Sequence, residues 1–265
     1  MPLRGKLRGG RLVSAGGGGY KAAMGFSLHR FANPGRFLRL ASALLPWLSA
    51  GAALLFAIGL YLALIGSPPD YQQHDTVRIM YVHVPAAWLA LAGYVLLAAA
   101  GASAIIWRHP LADVASEAIA PVGAAFTLVA LASGSLWGKP TWGTYWVWDA
   151  RLTSFLLLFF LYVGHIALTH AFDDRSRGRR SAAILAIVGV INVPIIKYSV
   201  DWWNTLHQGE SIIRMDGPSI DPSMMWPLIV MLVAFSLYFF AVVMGRMKAM
   251  LLEARNRATA FARQD

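Results

Sequence analysis

Six nearly uninterrupted apolar runs divide this chain, and polar or charged segments separate them. The runs cover residues 44–65, 86–106, 119–136, 152–168, 182–196 and 226–244. Each is near the ~17–25 residues that a helix rising ~1.5 Å per residue needs to cross ~30 Å of hydrocarbon. The pattern therefore predicts an all-α integral membrane protein with six transmembrane helices. The fifth is the least regular, because Asn192, Pro194 and Lys197 interrupt its second half and Pro194 removes a backbone donor.

The same pattern defines three parts of the chain. A membrane domain at 44–244 contains a tryptophan-rich loop at 137–151, and it lies between a basic cytoplasmic arm at 1–43 and a basic, helical cytoplasmic tail at 245–265. The arm has eight Lys and Arg residues but no apolar core, so it does not resemble a cleaved signal peptide. Two alternatives stay open: the first residues form a flexible arm, or the protein starts at Met24.

Composition and charge support a membrane protein and give it an orientation. The chain is 57% hydrophobic and 14% charged, with a mean hydropathy of +0.54. Eighteen Lys and Arg residues lie on the side of the two termini, against four in the segments 66–85, 137–151 and 201–225. Because positively charged loops stay cytoplasmic, both termini are predicted to face inward, in a bacterial inner membrane. Anionic lipid then accounts for the net charge of +10, and no nucleic-acid partner is needed.

Two kinds of chemistry are excluded or disfavoured by the residues present. The chain has no cysteine, which rules out disulfides and thiolate metal ligands. The segment GSLWGKPT superficially resembles a phosphate-binding loop, but only three residues separate Gly134 from Gly138, and Pro140 stands where a magnesium-binding hydroxyl belongs. Any ATP-driven work is therefore expected from another subunit, and no catalytic site is evident.

The tryptophan-rich loop is the most unusual stretch. WGKPTWGTYWVWDAR, residues 137–151, combines six aromatic or acidic residues with two cations, and these are Trp137, Trp142, Tyr145, Trp146, Trp148, Asp149, Lys139 and Arg151. One or two indoles would be typical of the aromatic belt at a membrane surface. If the middle of the stretch is helical, Trp142, Tyr145, Trp146 and Asp149 share one face. Such a face suits a planar, conjugated ligand, because aromatic rings stack favourably on a flat apolar surface and their polar edges can donate hydrogen bonds.

Two histidines on the predicted outer face extend this pattern. His83 lies at the mouth of the second helix, and His207 follows Trp202 and Trp203. A lone loop histidine is usually an ordinary polar group, but two histidines among aromatics favour axial ligands of a haem iron. The haem propionates would need cations, for which Arg78, Lys139 and Arg151 are the candidates. His74 is expected to be solvated.

These motifs resemble a known family. RIMYVHVPAA, GSLWGKPTWGTYWVWDARLTS, LYVGHIALTHAFDDR, NVPIIKYSVDWWNTLHQG and SIDPSM, in a stretch from Met24 to the tail, are similar to the WWD-motif haem-handling proteins and most closely to their haem exporter protein C (CcmC) branch. The resemblance implies that His83 and His207 ligate the iron and that Trp137 through Asp149 form the haem-binding loop. Tyr145 stands where some relatives have tryptophan. The six helices fit the short, exporter-type members of the family.

The resemblance also implies a function. Such proteins hold haem b transiently as cargo at the periplasmic membrane face and deliver it to the haem chaperone CcmE. They work with CcmD and with the ABC-type subunits CcmA and CcmB in c-type cytochrome maturation. Two alternatives are a membrane redox subunit of the cytochrome b kind and a permease without haem. The redox alternative is weaker, because only His165 lies well inside a predicted helix.

Overall fold

Residues 33–207, 217 and 220–262 are described by a computed structural model, and their regular structure is helical. The helices in this part of the chain are α1 (Pro34–Tyr61), α2 (Met80–Trp107), α3 (Pro110–Trp142), α4 (Ala150–His170), α5 (Arg175–Gly189), α6 (Asn192–Trp202) and α7 (Pro222–Phe261). A π-helical turn, Leu62–Gly66, continues α1, and a 3-10 turn, Asp75–Ile79, leads into α2.

Six helical segments of the described chain are long and apolar enough to span a membrane. They are Pro34–Gly66, Asp75–Trp107, Pro110–Trp142, Ala150–His170, Arg175–Trp202 and Pro222–Ala260. The prediction of six spanning helices in an all-α protein is therefore confirmed. Large apolar side chains such as Leu54, Phe160 and Val188 remain exposed on the outside of the bundle, where lipid rather than water is their natural solvent.

The first and last helices extend beyond the apolar runs. Asn33 caps α1, because its side-chain oxygen accepts the backbone N–H groups of Gly35 and Arg36 at 2.8 and 3.2 Å. Residues 34–43, which the apolar pattern assigns to the N-terminal arm, are therefore helical. At the other end, α7 runs on to Phe261, so the predicted tail is helical as far as it is described. The rest of the predicted arm, residues 1–32, lies outside the described residues.

The fifth span is broken into two helices at the place where the sequence is least regular. α5 ends at Gly189 and α6 begins at Asn192, which puts Pro194 in the first turn of α6, where a missing N–H costs no helical hydrogen bond. The buried Asn192 side chain donates a hydrogen bond to the Ser154 carbonyl oxygen of α4 at 2.9 Å. Polar residues in this span thus satisfy the backbone of a neighbouring helix, as apolar surroundings require.

The core of the bundle forms around α2, which packs against α3, α5 and α7, whereas α1 packs mainly on α7. Tyr162 of α4 reaches into this core and donates a hydrogen bond to the Ala90 carbonyl oxygen at 2.8 Å. A Cβ atom at Gly123 would overlap the Tyr162 ring, so only glycine lets α3 approach α4 that closely. Small residues at helix contacts are typical of membrane bundles.

Alternating helix directions give the bundle two distinct ends. The aromatic end holds the first turns of α2 and α4, the last turns of α3 and α6, and the segment 143–149. The basic end holds the first turns of α3 and α5 together with the last turns of α4 and α7. The predicted ligand-binding residues all belong to the aromatic end.

Candidate functional site

His83 is fixed at the aromatic end by contacts with α3. Its Nδ1 lies 3.0 Å from the Ala130 carbonyl oxygen and 3.1 Å from Ser133 Oγ. A carbonyl oxygen can only accept, so Nδ1 carries the proton of the neutral ring and Nε2 keeps its lone pair. A hydrogen bond from one ring nitrogen to a backbone carbonyl is the usual way in which proteins orient a metal-binding histidine.

Gly134 makes room for the His83 imidazole. A Cβ atom at this position would lie only 2.8 Å from His83 Cε1, closer than real Cβ contacts. The ring therefore rests on the bare backbone of α3, one turn before the tryptophan-rich segment begins. Any larger residue at position 134 would displace it.

His207 is brought next to His83 from a distant part of the chain. The ring centroids of the two histidines are 6.2 Å apart, with planes tilted by 50°. Since a bond between a metal and an imidazole nitrogen is about 2 Å, two rings on opposite sides of one metal would have centroids roughly 6 Å apart. The observed separation is thus of the size that shared ligation requires.

The surroundings of His207 keep its imidazole uncharged. Burial, and to a smaller extent the charges of Arg151 and His83, together lower the pKa of its imidazole from 6.5 to about 3, against an opposing effect of Asp149. The ring is therefore neutral at pH 7, which is the form that ligates a metal. Its buried Nδ1 has no hydrogen-bond partner among the described residues.

Two tryptophans of α3 flank the histidine pair. The Trp137 ring lies edge-on to His83 with centroids 5.8 Å apart, and the Trp142 ring lies 5.7 Å from His207. Trp137 is held in place by a hydrogen bond from its Nε1 to Gln73 Oε1 at 2.8 Å. The pair is therefore surrounded by indole surface on the side of α3.

The segment after Trp142 is not helical, so the predicted shared helical face is wrong. α3 ends at Trp142 and is capped by Gly143 with φ of 79°, a left-handed conformation that glycine adopts without strain. Trp146 and Trp148 instead pack edge to face at 5.5 Å, and Trp146 Nε1 is buried without a partner among the described residues. Tyr145 and Trp148 are exposed. Because α3 ends at Trp142, the residues after it do not follow the helical spacing on which the predicted shared face depended.

Asp149 connects the start of α4 to the loop that carries His207. Its Oδ1 accepts the backbone N–H of Leu152 at 2.7 Å, which makes it the N-cap of α4. Its Oδ2 accepts a hydrogen bond from Thr205 Oγ1 at 2.5 Å, and Thr205 Oγ1 in turn accepts the backbone N–H of His207 at 3.0 Å. One carboxylate therefore caps a helix and positions the loop.

The three candidate cations have different surroundings. Arg78 pairs with Asp75 at 3.0 Å in the 3-10 turn before α2. Lys139 donates to the Gly143 carbonyl oxygen at 3.0 Å and lies 5.3 Å from the centre of the Tyr145 ring. Arg151 acts on the site directly, because its charge lowers the pKa of His207.

Trp202 and Trp203 form a separate group at the end of α6. Trp202 stacks on Tyr198 with centroids 5.6 Å apart, and Trp203 packs edge to face on Trp202 at 5.8 Å. In the part of the chain that the structure describes, these are the ring contacts of the two indoles, and both side chains are about half exposed. The structure does not bring them into ring contact with the histidine pair. His74 is exposed, as expected.

Several residues of this site escaped the sequence analysis. Gln73, Ser133, Gly134 and Thr205 hold Trp137, His83 and His207 in place. Gly134 and Thr205 lie within the stretches that resemble the family, but no spacing or residue type assigned a role to any of the four. The available signal for Ser133 was weak: it lies one helical turn before Trp137 on the same face of α3. For Thr205 and Gln73, no sequence spacing indicates the contact.

The comparisons with known proteins agree on one family. Residues 27–262 match the family model described as "Heme exporter protein C". A heme exporter protein C of Bradyrhizobium diazoefficiens is 55% identical over 227 residues, covering 86% of each chain. The Escherichia coli K12 heme exporter protein C is 46% identical over 231 residues, covering 87% of this chain and 93% of its own. A Marchantia polymorpha mitochondrial protein described as CcmC-like and of cytochrome c biosynthesis is 46% identical over 181 residues, 68% of this chain and 76% of its own.

Proposed function

This chain belongs to the haem exporter protein C family, and we propose on that basis that it is a multi-pass membrane protein that handles haem in the biogenesis of c-type cytochromes. The observation that carries the proposal is the His83 and His207 pair, whose ring centroids lie 6.2 Å apart between Trp137 and Trp142. Haem b is the cargo. The chain binds and releases it without a reaction of its own.

The residues of the aromatic end suit the parts of haem. The neutral imidazoles of His83 and His207 supply the two axial nitrogens, and the indoles of Trp137 and Trp142 supply apolar contact for the macrocycle. The propionates need cations. Arg151 is the preferred partner for a propionate, because its charge already acts on His207. Arg78 is less suitable, because its guanidinium group already forms an ion pair with Asp75.

We place the aromatic end on the periplasmic side of a bacterial inner membrane and both termini in the cytoplasm. Support comes from the eighteen Lys and Arg residues on the side of the termini against four on the other. The basic end of the bundle includes Arg108, Arg175 and Arg246, in keeping with a cytoplasmic face. Haem held at the aromatic end would then be presented outside the cell membrane.

Delivery to the periplasmic chaperone CcmE is the proposed outcome. The exposed rings of Tyr145 and Trp148, 57% and 76% accessible, offer a partner an open apolar surface at the same end of the bundle as the histidine pair. CcmD and the ABC-type subunits CcmA and CcmB are the further proposed partners. An ATP-hydrolysing subunit is needed if transport is driven, because this chain lacks a phosphate-binding loop.

The redox alternative finds less support in the structure. His165, which a cytochrome b-like site would use, is buried in α4 and bonded through Nε2 to Ser116 Oγ at 2.9 Å. It lies toward the basic end, away from His83 and His207. Its Nε2 is therefore engaged by a hydroxyl group and is not free to ligate an iron.

Absorption spectra of the purified protein test the proposal. His83→Ala and His207→Ala should each shift the reduced-minus-oxidised spectrum and lower the haem content, because each removes an axial nitrogen. The matched control is His74→Ala, an exposed histidine of the same membrane face. If both variants keep the spectrum and haem content of the unmodified protein, the assignment of the ligands is wrong.

A further inference from the structure

A second cavity lies at the basic end of the bundle, far from the histidine pair. It has a volume of about 450 Å³ and is formed by α3, α4, α5 and α7. Its charged lining consists of the two glutamates Glu117 and Glu253 together with the four arginines Arg175, Arg179, Arg246 and Arg257. We call it the basic cleft. The function proposed above makes no use of it.

The charges of the basic cleft do not cancel. Arg179 pairs with Glu117 at 2.6 Å, and Arg257 pairs with Glu253 at 3.5 Å. The guanidinium groups of Arg175 and Arg246 form no ion pair or hydrogen bond with any residue that the structure describes. Two positive charges on different helices therefore face one cavity without a counter-charge, which is the arrangement of an anion-binding site.

A buried histidine in the cleft wall adds an unused polar atom. His165 lines the cavity and is only 1% exposed. Its Nε2 lies 2.9 Å from Ser116 Oγ, while its Nδ1 has no partner among the described residues. Unpaired polar atoms are uncommon in a protein interior, so this one indicates that a polar group belongs near the deep part of the cleft.

Most of the remaining wall is apolar, with Thr169 and His170 as its polar side chains, and this limits the kind of anion. Val114, Ile166, Met250 and Leu251 line the cavity together with the arginines. A small hydrophilic anion would gain nothing from these side chains. A ligand with a charged head and hydrocarbon chains would use both kinds of wall.

The depth of the cleft in the membrane agrees with such a ligand. Thr169, His170 and Arg175 lie where α4 ends and α5 begins, which marks one boundary of the spanning region. α7 has 40 residues, and at ~1.5 Å per residue this is about 60 Å, twice the ~30 Å hydrocarbon layer. Its C-terminal half, which supplies Arg246 and Arg257, therefore reaches beyond the hydrocarbon into the headgroup region.

We propose that the basic cleft is a binding site for an anionic phospholipid, with Arg175 and Arg246 holding the headgroup phosphate and the apolar walls holding the start of the acyl chains. Basic pockets between membrane helices on the cytoplasmic side commonly bind such headgroups. The lipid would tie α7 to α4 and α5 at the membrane surface. The site is independent of the haem site, since it involves none of the same residues.

The test is lipid retention by the full-length protein. Protein reconstituted into nanodiscs of phosphatidylcholine and phosphatidylglycerol in equal amounts is extracted into detergent, and the retained lipids are counted by native mass spectrometry. The unmodified protein should retain phosphatidylglycerol selectively. The double variant Arg175→Gln/Arg246→Gln should lose this selectivity, with roughly a fivefold lower affinity for each arginine removed.

A matched double variant controls for general surface charge. Arg180→Gln/Arg255→Gln removes two exposed arginines from the same helices, α5 and α7, outside the cleft. It should keep the selectivity. Equal loss in both double variants would overturn the proposal, because the effect would then be nonspecific attraction to the membrane. The proposal would also be overturned if inorganic phosphate, at a concentration comparable to that of phosphatidylglycerol, displaced the bound lipid. The site would then be one for a free anion.

The haem spectrum separates this proposal from the function proposed above. Arg175→Gln/Arg246→Gln should leave haem content and the reduced-minus-oxidised spectrum unchanged, because the altered residues lie at the opposite end of the bundle. A loss of phosphatidylglycerol selectivity with normal haem content, and a loss of haem with normal lipid selectivity, are therefore distinguishable results. If haem, rather than phosphatidylglycerol, were found bound in the basic cleft, the lipid assignment would also be wrong.

Discussion

Thr205 Oγ1 donates a hydrogen bond of 2.5 Å to Asp149 Oδ2, across 56 positions of the chain. The other oxygen of the same carboxylate caps α4, and the Thr205 hydroxyl oxygen accepts the backbone N–H of His207. Asp149 therefore caps a helix and at the same time contacts the loop of His207 through Thr205.

The first prediction concerns Thr205. Thr205→Val keeps the shape of the side chain but removes the hydroxyl group that connects Asp149 with the backbone of His207. A hydrogen bond to a charged group contributes about 1.5–3 kcal/mol, so haem retention should fall by at least roughly tenfold at normal membrane abundance. Haem content of the purified protein is the measurement.

Thr141→Val is the matched control for this change. The Thr141 hydroxyl bonds to the Trp137 carbonyl oxygen within α3 and joins no separate elements. Haem content should stay close to that of the unmodified protein. An equal loss in both valine variants would mean that the Asp149–Thr205 contact has no special role.

A second prediction separates the two tasks of Asp149. Asp149→Asn keeps a good N-cap, whereas Asp149→Ala removes it at a cost of about 1 kcal/mol of helix stability. We expect lower membrane abundance for the alanine variant only, and reduced loading of the haem chaperone for both. Immunoblots of membranes and of haem-loaded chaperone measure the two effects. Normal loading with Asp149→Asn would leave Asp149 as a helix cap alone.

The third prediction follows from the contact between His83 and Gly134. Gly134→Ala places a methyl group 2.8 Å from His83 Cε1, so the imidazole must move away from Ala130 and Ser133. Overpacking of this kind costs about 1–3 kcal/mol, and we expect a shifted haem spectrum together with several-fold lower haem content. Gly245→Ala is the control, because its methyl group would meet only Leu45 at 3.8 Å. Identical spectra for both variants would contradict the proposed role of His83.

The fourth prediction compares two tryptophans of the loop. Trp142 contacts His207, whereas Trp148 is 76% exposed and packs on Trp146. An aromatic contact contributes about 0.5–1.5 kcal/mol, so Trp142→Ala should weaken haem binding by roughly two- to tenfold. Trp148→Ala should leave binding nearly unchanged and should reduce transfer to the chaperone instead. Haem titration of the purified variants checks the order, and a stronger binding defect for Trp148→Ala would reverse it.

The fifth prediction concerns topology. Reporter fusions after Trp107 and Arg179 should show a cytoplasmic location, and fusions after Thr144 and Gly209 a periplasmic one. The expectation rests on the distribution of Lys and Arg residues and on the opposite ends of the bundle at which Trp107 and Thr144 lie. A cytoplasmic reporter at Thr144 would end the proposal of delivery to a periplasmic chaperone.

The sequence by itself determined the spans and the main chemical groups of the site. An apolar run of about 20 residues crosses a membrane largely because of its own composition, since backbone hydrogen bonds in lipid must be made within the helix. The irregular second half of the fifth span was visible for the same reason, because Pro194 changes backbone hydrogen bonding locally. His83, His207 and the tryptophan-rich loop stood out through their unusual density of aromatic and metal-binding side chains.

Only the tertiary structure decided which of these groups meet. The end of α3 at Gly143 ruled out a shared helical face, because a left-handed cap cannot be inferred from aromatic spacing. The contacts of His83 with Ala130, and of Asp149 with Thr205, join residues about 50 positions apart in the chain. The basic cleft likewise depends on four helices packing together. Such contacts follow from the packing of the whole bundle, so they cannot be predicted from local patterns of hydrophobicity and charge.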